Sequence, residues 1–441
     1  MAGHDDGVSI SLLHGVVPLA TQAAAAATLA LAIGWRTRRW RRVLLPLSVV
    51  IGIGVTLWLY WYISDEGWGD TPPPRGLWVW VALTGFAAAV LVLGWRSAAH
   101  WRRAVTVLAV PLCVLSAALS VNLWVGYVPD VQAGWNQLTA GPLPDQINAT
   151  DVTALVANTR TQHQLPAKGR VVEVSVPDDA SHFTHRDEYV YLPPAWFATS
   201  PPPELPAVVM IGGEFNTPAD WLRAGNAINT LDAYAAAHQG NAPVTVFADV
   251  VGTFHNDTEC VNGPRGNAAD HITKDLVPYV ESHFGVSDDA SRWGVAGWSM
   301  GGTCAVDLAA MHPDQFGAFD DMAGDIAPNA GDPSQTLARL YGGNAAAEAS
   351  FDPVTVMQSH GKYTATAGLF VSPLPQFSQA SQAQAAQTLN TAAHNAGIDS
   401  SVVPLPGNHD WGFAATAFAN SLPWLATALH TPSASASTLT S

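Results

Sequence analysis

The polarity of the chain changes character twice. Four long apolar runs, residues 10–35, 43–63, 76–95 and 104–128, fill its first part. Each is close to the roughly 20 residues that carry a helix across a bilayer. The first contains His14, Thr21 and Gln22, and the others carry no acidic or basic residue. Four runs with no basic segment ahead of the first do not fit a cleaved signal peptide. They predict a four-span transmembrane domain over residues 1–128. Residues 129–166 hold Pro, Gly, Asn and Gln with little periodicity, and read as a linker or a cap over the membrane surface.

From 167 to 430 short β-branched runs alternate with helical segments. The runs are "RVVEVSVP" (170–177), "EYVYLP" (188–193), "AVVMIGG" (207–213), "VTVFADV" (244–250), "WGVAG" (293–297), "FGAFDDMAG" (316–324), "AGLFVS" (367–372) and "SVVPLP" (401–406). The helical segments are 221–238, 268–283, 303–312, 379–396 and 414–430. This alternation predicts an α/β domain with a mostly parallel sheet and helices on both faces. No helix separates the first two strands, which suits an antiparallel lead-in. Residues 431–441 are rich in Ser, Thr and Ala, the composition of a disordered tail.

Charge adds an orientation. Lys plus Arg number 19 against 35 Asp plus Glu, a formal net charge of −16. That balance argues against a nucleic-acid partner, which needs a basic face. Arg36, Arg38, Arg39, Arg41 and Arg42 separate the first two runs, and Arg96, Arg102 and Arg103 the last two. Asp65, Glu66 and Asp70 lie between the second and third. Basic loops stay cytoplasmic. The chain is therefore expected to be a multi-pass protein of the cell membrane, its partner the lipid bilayer, with everything after residue 128 extracytoplasmic. No charge in the span cores marks an ion path.

The candidate chemistry lies in "VAGWSMGGTC" (295–304). G-x-S-x-G alone is a weak signal, but here Ser299 falls between a buried strand and a helix that opens with small residues. That corner exposes a serine hydroxyl as a nucleophile. A base must follow in the chain, and His409, in "GNHDWGF" after the last strand, is the expected one. The acid is harder to place, because no Asp or Glu lies between Pro353 and Ile398. Asp325, just past the strand in "AFDDMAGDIAP", is the expected acid, with Asp321 or no carboxylate at all as alternatives. A tetrahedral oxyanion needs N–H donors already in place. The expected ones are the amide of Met300 and that of Gly213 or Glu214.

Of three cysteines, Cys113 falls in the fourth apolar run. Cys260 and Cys304 fall in the domain expected outside, where disulfides persist. They are expected to pair, the alternative being two buried thiols. His255, Asp257, Glu259 and Cys260 have no recognised ligand spacing, so neither a metal nor a cofactor is expected.

"VVMIGG", "TECVNGPRGNAADHITKDLVPYV", "WGVAGWSMGGTCAVDLAAMHPDQF" and "PGNHDWGFAATAF" resemble the esterase family of α/β-hydrolases that includes mycobacterial mycolyltransferases and S-formylglutathione hydrolases. Together with the four apolar runs, the chain resembles actinobacterial membrane esterases. The resemblance covers about residues 170–430. It implies an α/β-hydrolase fold, with Ser299 and His409 in a triad and the amides near Glu214 and Met300 as oxyanion donors. In the mycolyltransferases the acid is a glutamate after the seventh strand, a position with no acidic counterpart here. The expectation is a membrane-anchored serine esterase or acyltransferase acting on an acyl ester of a lipid or envelope component. The alternative is a non-catalytic membrane protein whose degenerate hydrolase domain binds an envelope component.

Overall fold

The structure, a computed structural model, describes residues 10–66, 73–139, 141, 143–375 and 380–432. The chain divides into two units, residues 1–141 and 142–441.

In the first unit the apolar runs fold as α1 (Val16–Ile33), α2 (Leu45–Glu66), α3 (Arg75–Gly94) and α4 (His100–Val125). All four are long and apolar enough to cross a membrane. α1 packs on α4, α4 on α3 and α3 on α2. Ala25, Leu29, Ala87, Ala109 and Cys113 form a buried seam, and small residues there let helix backbones approach closely. Outward, Val50, Leu57, Val92 and Leu108 are exposed, the reverse of a soluble bundle. Hydroxyls find acceptors inside their own helices: Ser48 donates to Leu44 O, Thr84 to Trp80 O and Ser116 to Leu112 O. Gln22, in the least regular run, donates to Ser120 Oγ at 3.5 Å. The arginines turn onto helix C-termini, where the macrodipole favours a cation. Arg36 donates to Ala32 O and Gly94 O, Arg102 to Leu31 O and Arg103 to Trp95 O.

The stretch 129–166, expected as a linker, carries more structure than its composition suggests. It holds α5 (Val131–Leu138), strand β1 (Gln146–Ile147) and α6 (Ala149–Gln162). Asp130 and Asn148 cap the two helices by accepting the Ala133 and Asp151 N–H groups, the side-chain capping that satisfies first-turn donors.

The second unit is built on a nine-stranded sheet. After β1 come β2 (Arg170–Val174), β3 (Glu188–Leu192), β4 (Ala207–Ile211), β5 (Val244–Ala248), β6 (Trp293–Trp298), β7 (Ala318–Met322), β8 (Ala367–Pro373) and β9 (Asp399–Leu405). Their order is β1-β2-β3-β5-β4-β6-β7-β8-β9. β2 and β3 form the antiparallel lead-in, β3 runs antiparallel to β5, and β5 through β9 are parallel. β4 to β7 are buried throughout, which is why β4 and β6 read as unbroken apolar runs rather than alternating ones.

Two helical layers cover the sheet. α7 (Ala227–Ala237) packs on α11 (Trp411–Ala428), while α9 (Met300–Met311) contacts the helix Pro353–His360, which contacts α10 (Ala380–Ala396). Upstream of β6 runs α8 (Val277–Phe284). Strand alternation distributes adjacent side chains between the layers. On β7, Asp320 accepts a hydrogen bond from Ser421 of α11, whereas Asp321 Oδ1 lies beneath Gly302 of α9. Burial pushes the Asp320 carboxyl up to about 7 and the Asp321 carboxyl up to about 8.

The register aligns Ile211, Gly297, Asp321, Phe370 and Val402 in one line across the sheet. The loops that follow these five strands therefore leave from one edge. Between β4 and its neighbours the chain reverses its direction of progress: β5 lies on one side and β6 on the other. Such switch points open a crevice beyond the strand C-termini. The segment 221–238 is not one helix. It breaks at Asn226, which takes φ 53°, into a turn Asp220–Arg223 and α7. Residues 433–441 of the expected tail lie outside the described residues.

Candidate active site

Ser299 is the single residue between β6 and α9. Its backbone is at φ 59° and ψ −126°, a conformation that costs a non-glycine residue energy and persists only where the surroundings enforce it. Here they do. Ser299 N–H donates to Met322 O at 3.0 Å, and Ser299 O accepts from Gly302 and Thr303. The corner is possible because its neighbours lack side chains. A Cβ at Gly301 would sit 2.5 Å from the Gly212 and Ile211 carbonyl oxygens, so strand β4 and helix α9 approach to backbone contact.

His409 leaves the loop between β9 and α11. Asp410 fixes the end of that loop by accepting Phe413 N–H as the cap of α11. The imidazole arrives with Nε2 2.9 Å from Ser299 Oγ. This is hydrogen-bond reach for a base and its nucleophile. The ring packs beside Trp298, centroid to centroid 5.1 Å, and Trp298 in turn packs on Trp411 at 4.8 Å. Burial pushes the His409 imidazole down to about 4, because it penalises the charged form.

The third group differs from the expectation. Asp325 is held by groups other than His409. Its N–H donates to Thr303 Oγ1 at 2.8 Å and its Oδ2 accepts from Asn329 Nδ2 at 3.3 Å, so both ends of the residue are held on the α9 side of β7. Asp321, the alternative, is also turned away and accepts Gly324 N–H at 2.7 Å. Beside His409 Nδ1, at 2.6 Å, stands the side-chain amide nitrogen Nε2 of Gln382, in the first turn of α10. A signal for Gln382 exists in the sequence: with Ala385, Ala386, Leu389 and Ala393 it forms the buried stripe of α10. A glutamine heading an apolar stripe at helical spacing is an inward polar group that needs a partner.

Of the expected oxyanion donors, Met300 opens α9, so its N–H has no intrahelical acceptor. Gly213 is spent: its N–H donates to Asn216 Oδ1 at 2.8 Å. The turn still stands against the nucleophile, since a Cβ on Gly213 would lie 3.2 Å from Ser299 Cβ. Glu214 is the next residue of that turn.

Cys260 and Cys304 are joined in a disulfide, with Cα atoms 5.6 Å apart. It ties the loop before the hairpin 262–267 to α9, five residues beyond Ser299. The same loop is held by Arg265, paired with Asp257 at 3.0 Å. Since Cys260 is bonded to sulfur, the set His255, Asp257, Glu259 and Cys260 loses its soft ligand. A different group brings three ligand-type atoms within 4.8 Å of one another: His185, Glu188 and His271. Some of their atoms have partners, while Glu188 Oε2 and His271 Nδ1 are buried without a hydrogen bond. Glu188 Oε1 takes Asp249 N–H at 2.9 Å and His271 Nε2 at 3.2 Å, and the His185 ring stacks on His271 with centroids 4.1 Å apart.

A family model described as "Putative esterase" matches residues 184–425. An uncharacterised protein of Corynebacterium glutamicum is 28% identical over 397 residues, which cover 88% of this chain and 89% of that one. The MPT51 antigen of Mycobacterium leprae is 28% identical over 137 residues, 29% of this chain and 42% of its own length. Among solved structures, an S-formylglutathione hydrolase from Agrobacterium tumefaciens is 19% identical with a TM-score of 0.48, over 60% of this chain and 97% of that one.

Proposed function

The chain belongs to this esterase family, whose model spans more than half of it, and from that premise we propose that it is a membrane-anchored serine esterase or acyltransferase working through an acyl-enzyme on Ser299. The observation that carries the reading is the 2.9 Å contact between Ser299 Oγ and His409 Nε2, made by a serine held at φ 59° on the strand-to-helix corner. In the proposed reaction Ser299 Oγ attacks the ester carbonyl carbon while its proton passes to His409 Nε2. The tetrahedral oxyanion rests on the amides of Met300 and Glu214. On collapse, the Nε2 proton goes to the departing alkoxide and the acyl group stays on Oγ. Water or an acceptor hydroxyl then gives its proton to Nε2 as its oxygen attacks the acyl carbon, and collapse breaks the acyl–Oγ bond while the Nε2 proton returns to Ser299 Oγ.

Turnover of p-nitrophenyl esters of graded chain length tests the reading. Hydrolysis that rises from the acetate to long acyl chains, and is absent from Ser299→Ala, supports an enzyme for lipid or envelope acyl groups. A peak at acetate would move the substrate to small soluble esters. The second reading, a binding protein of the cell envelope, is favoured by the amide that stands where a carboxylate would complete a triad. No turnover of any ester by the intact chain would favour it.

The proposed location is the outer side of the cell membrane, supported by the four apolar helices and by the arginine-rich connections between the first and second and between the third and fourth of them, which fall on one face. A cysteine introduced at Ser97 is expected to resist a membrane-impermeant thiol reagent in intact cells, and one at Gly67 to react. The reverse pattern would put residues 142–441 in the cytoplasm.

A further inference from the structure

We infer that Gln382 takes the place of the triad carboxylate: its side-chain oxygen accepts the Nδ1–H of His409 and so leaves the Nε2 lone pair facing Ser299. The inference rests on the esterase reading for its catalytic meaning but not for its geometry.

In the structure the amide nitrogen Nε2 of Gln382 lies 2.6 Å from Nδ1, but the two ends of a glutamine amide exchange places by a half-turn, so the contact has two possible proton arrangements. If the amide nitrogen donates to Nδ1, the imidazole proton must sit on Nε2. The ring then donates to Ser299 and cannot accept its proton. If the amide oxygen faces Nδ1, that nitrogen carries the proton and donates it, and Nε2 accepts from the serine hydroxyl. Only the second arrangement makes a base. A carboxylate would enforce it by being an acceptor alone; an amide allows it and adds no charge. Gln382 neither gains nor loses a proton. It is a positioning residue that acts through His409.

The groups around the imidazole agree with a neutral partner. On its own loop, Asp410 is committed to the cap of α11. On β7 and just after it, Asp321 and Asp325 bond to Gly324 and Asn329. Glu214 lies in the turn after β4. None of these holds the ring by charge: burial alone accounts for the lowered affinity of His409 for a proton. Asp399 begins β9, while His409 follows the end of that seven-residue strand, about 20 Å away at the usual rise per residue. The buried amide of Gln382 is the polar side chain the fold delivers to Nδ1. A neutral partner has a consequence that a carboxylate would not. The imidazole stays unprotonated down to about pH 4, so the acidic limb of kcat/KM falls there rather than near neutrality.

The test pairs a titration with kinetics on the full-length protein in detergent, labelled with 15N-histidine. His409 is assigned by difference with His409→Gln. The expected wild-type tautomer carries its proton on Nδ1 and titrates near pH 4. Gln382→Glu places a carboxylate on the imidazolium and is expected to raise that titration, and the acidic limb for p-nitrophenyl butyrate, by more than one pH unit. Gln382→Met, similar in size but unable to accept, is expected to lower kcat by about 10–100-fold with KM unchanged. Asp325→Asn is expected to stay within about twofold of wild type, well short of the losses on neutralising a triad acid. A proton on Nε2, or a Gln382→Glu titration identical to wild type, overturns the inference. So does a Gln382→Met enzyme with full kcat. A wild-type protein with the Nδ1 tautomer but no turnover would instead overturn the esterase reading and leave the pairing standing.

Discussion

Replacing Ser299 by alanine is expected to lower kcat/KM for p-nitrophenyl esters by about 10⁴–10⁶-fold, the range found when a hydrolase nucleophile is removed. The size follows from what the hydroxyl does. Every bond-making step of the proposed acyl transfer passes through Oγ. The fold should be unaffected. Alanine takes the same backbone, and the hydrogen bonds that hold residue 299, to Met322 O and from Gly302 and Thr303, are all made by main-chain atoms. The measurement is the ratio of kcat/KM at saturating purity, with unchanged thermal unfolding as the control. His409→Ala should fall in the same range, because the pair acts as a unit. A residual rate from the oxyanion donors and substrate binding is expected in both. A Ser299→Ala protein within tenfold of wild type would move the chemistry away from this corner.

The second large effect concerns the Cys260–Cys304 disulfide. It closes a loop of 44 residues in sequence separation, and the chain-entropy model values such a closure at about 4 kcal/mol. For a domain of this size that is a loss of roughly 6–8 °C in Tm for the Cys260→Ser, Cys304→Ser double variant. Cys304 and Cys260 are both buried in the core cluster that also contains Met300, Ala305 and Val306, so the lost cross-link loosens the contact between the 256–267 loop and the nucleophile helix. Differential scanning of the double variant against wild type, each with and without reductant, checks this. Reductant should lower the wild-type Tm and leave the double variant where it is. Peptide mass spectrometry without reduction should show Cys260 linked to Cys304, and Cys113 alkylated only after unfolding because it is buried. Equal Tm values for all four samples would contradict the disulfide's role.

The four long apolar helices and most central strands are legible in sequence for one reason: their apolar runs are almost unbroken. Ser299 and His409 are legible because backbone demands accompany them, small residues around the corner and a glycine-led loop after the last strand. Features built from polar residues are harder to read. α6 contains Thr, Asn, Asp and Gln and shows little apolar stripe, yet it forms behind the Asn148 cap. β1 is two residues long and is defined by its pairing with β2. The proposed partner of His409 is not the carboxylate the sequence points to, for a physical reason. A search for a triad acid looks for a carboxylate beyond a strand end, and Asp325 meets that description. Which way its side chain turns depends on Thr303 and Asn329, both fixed by tertiary packing. Gln382 belongs to a residue type that such a search does not consider. Gly213 shows the same limit, since its amide is claimed by Asn216 three residues on.

The central claim is that Ser299 is a nucleophile activated by His409. Fluorophosphonate labelling of the full-length protein tests it most directly, because the reagent reports an activated serine whatever the natural ester is. The account predicts a single adduct on the peptide carrying Ser299, absent from Ser299→Ala and strongly reduced in His409→Ala. Labelling that persists in Ser299→Ala, or none in the wild-type protein, would contradict it.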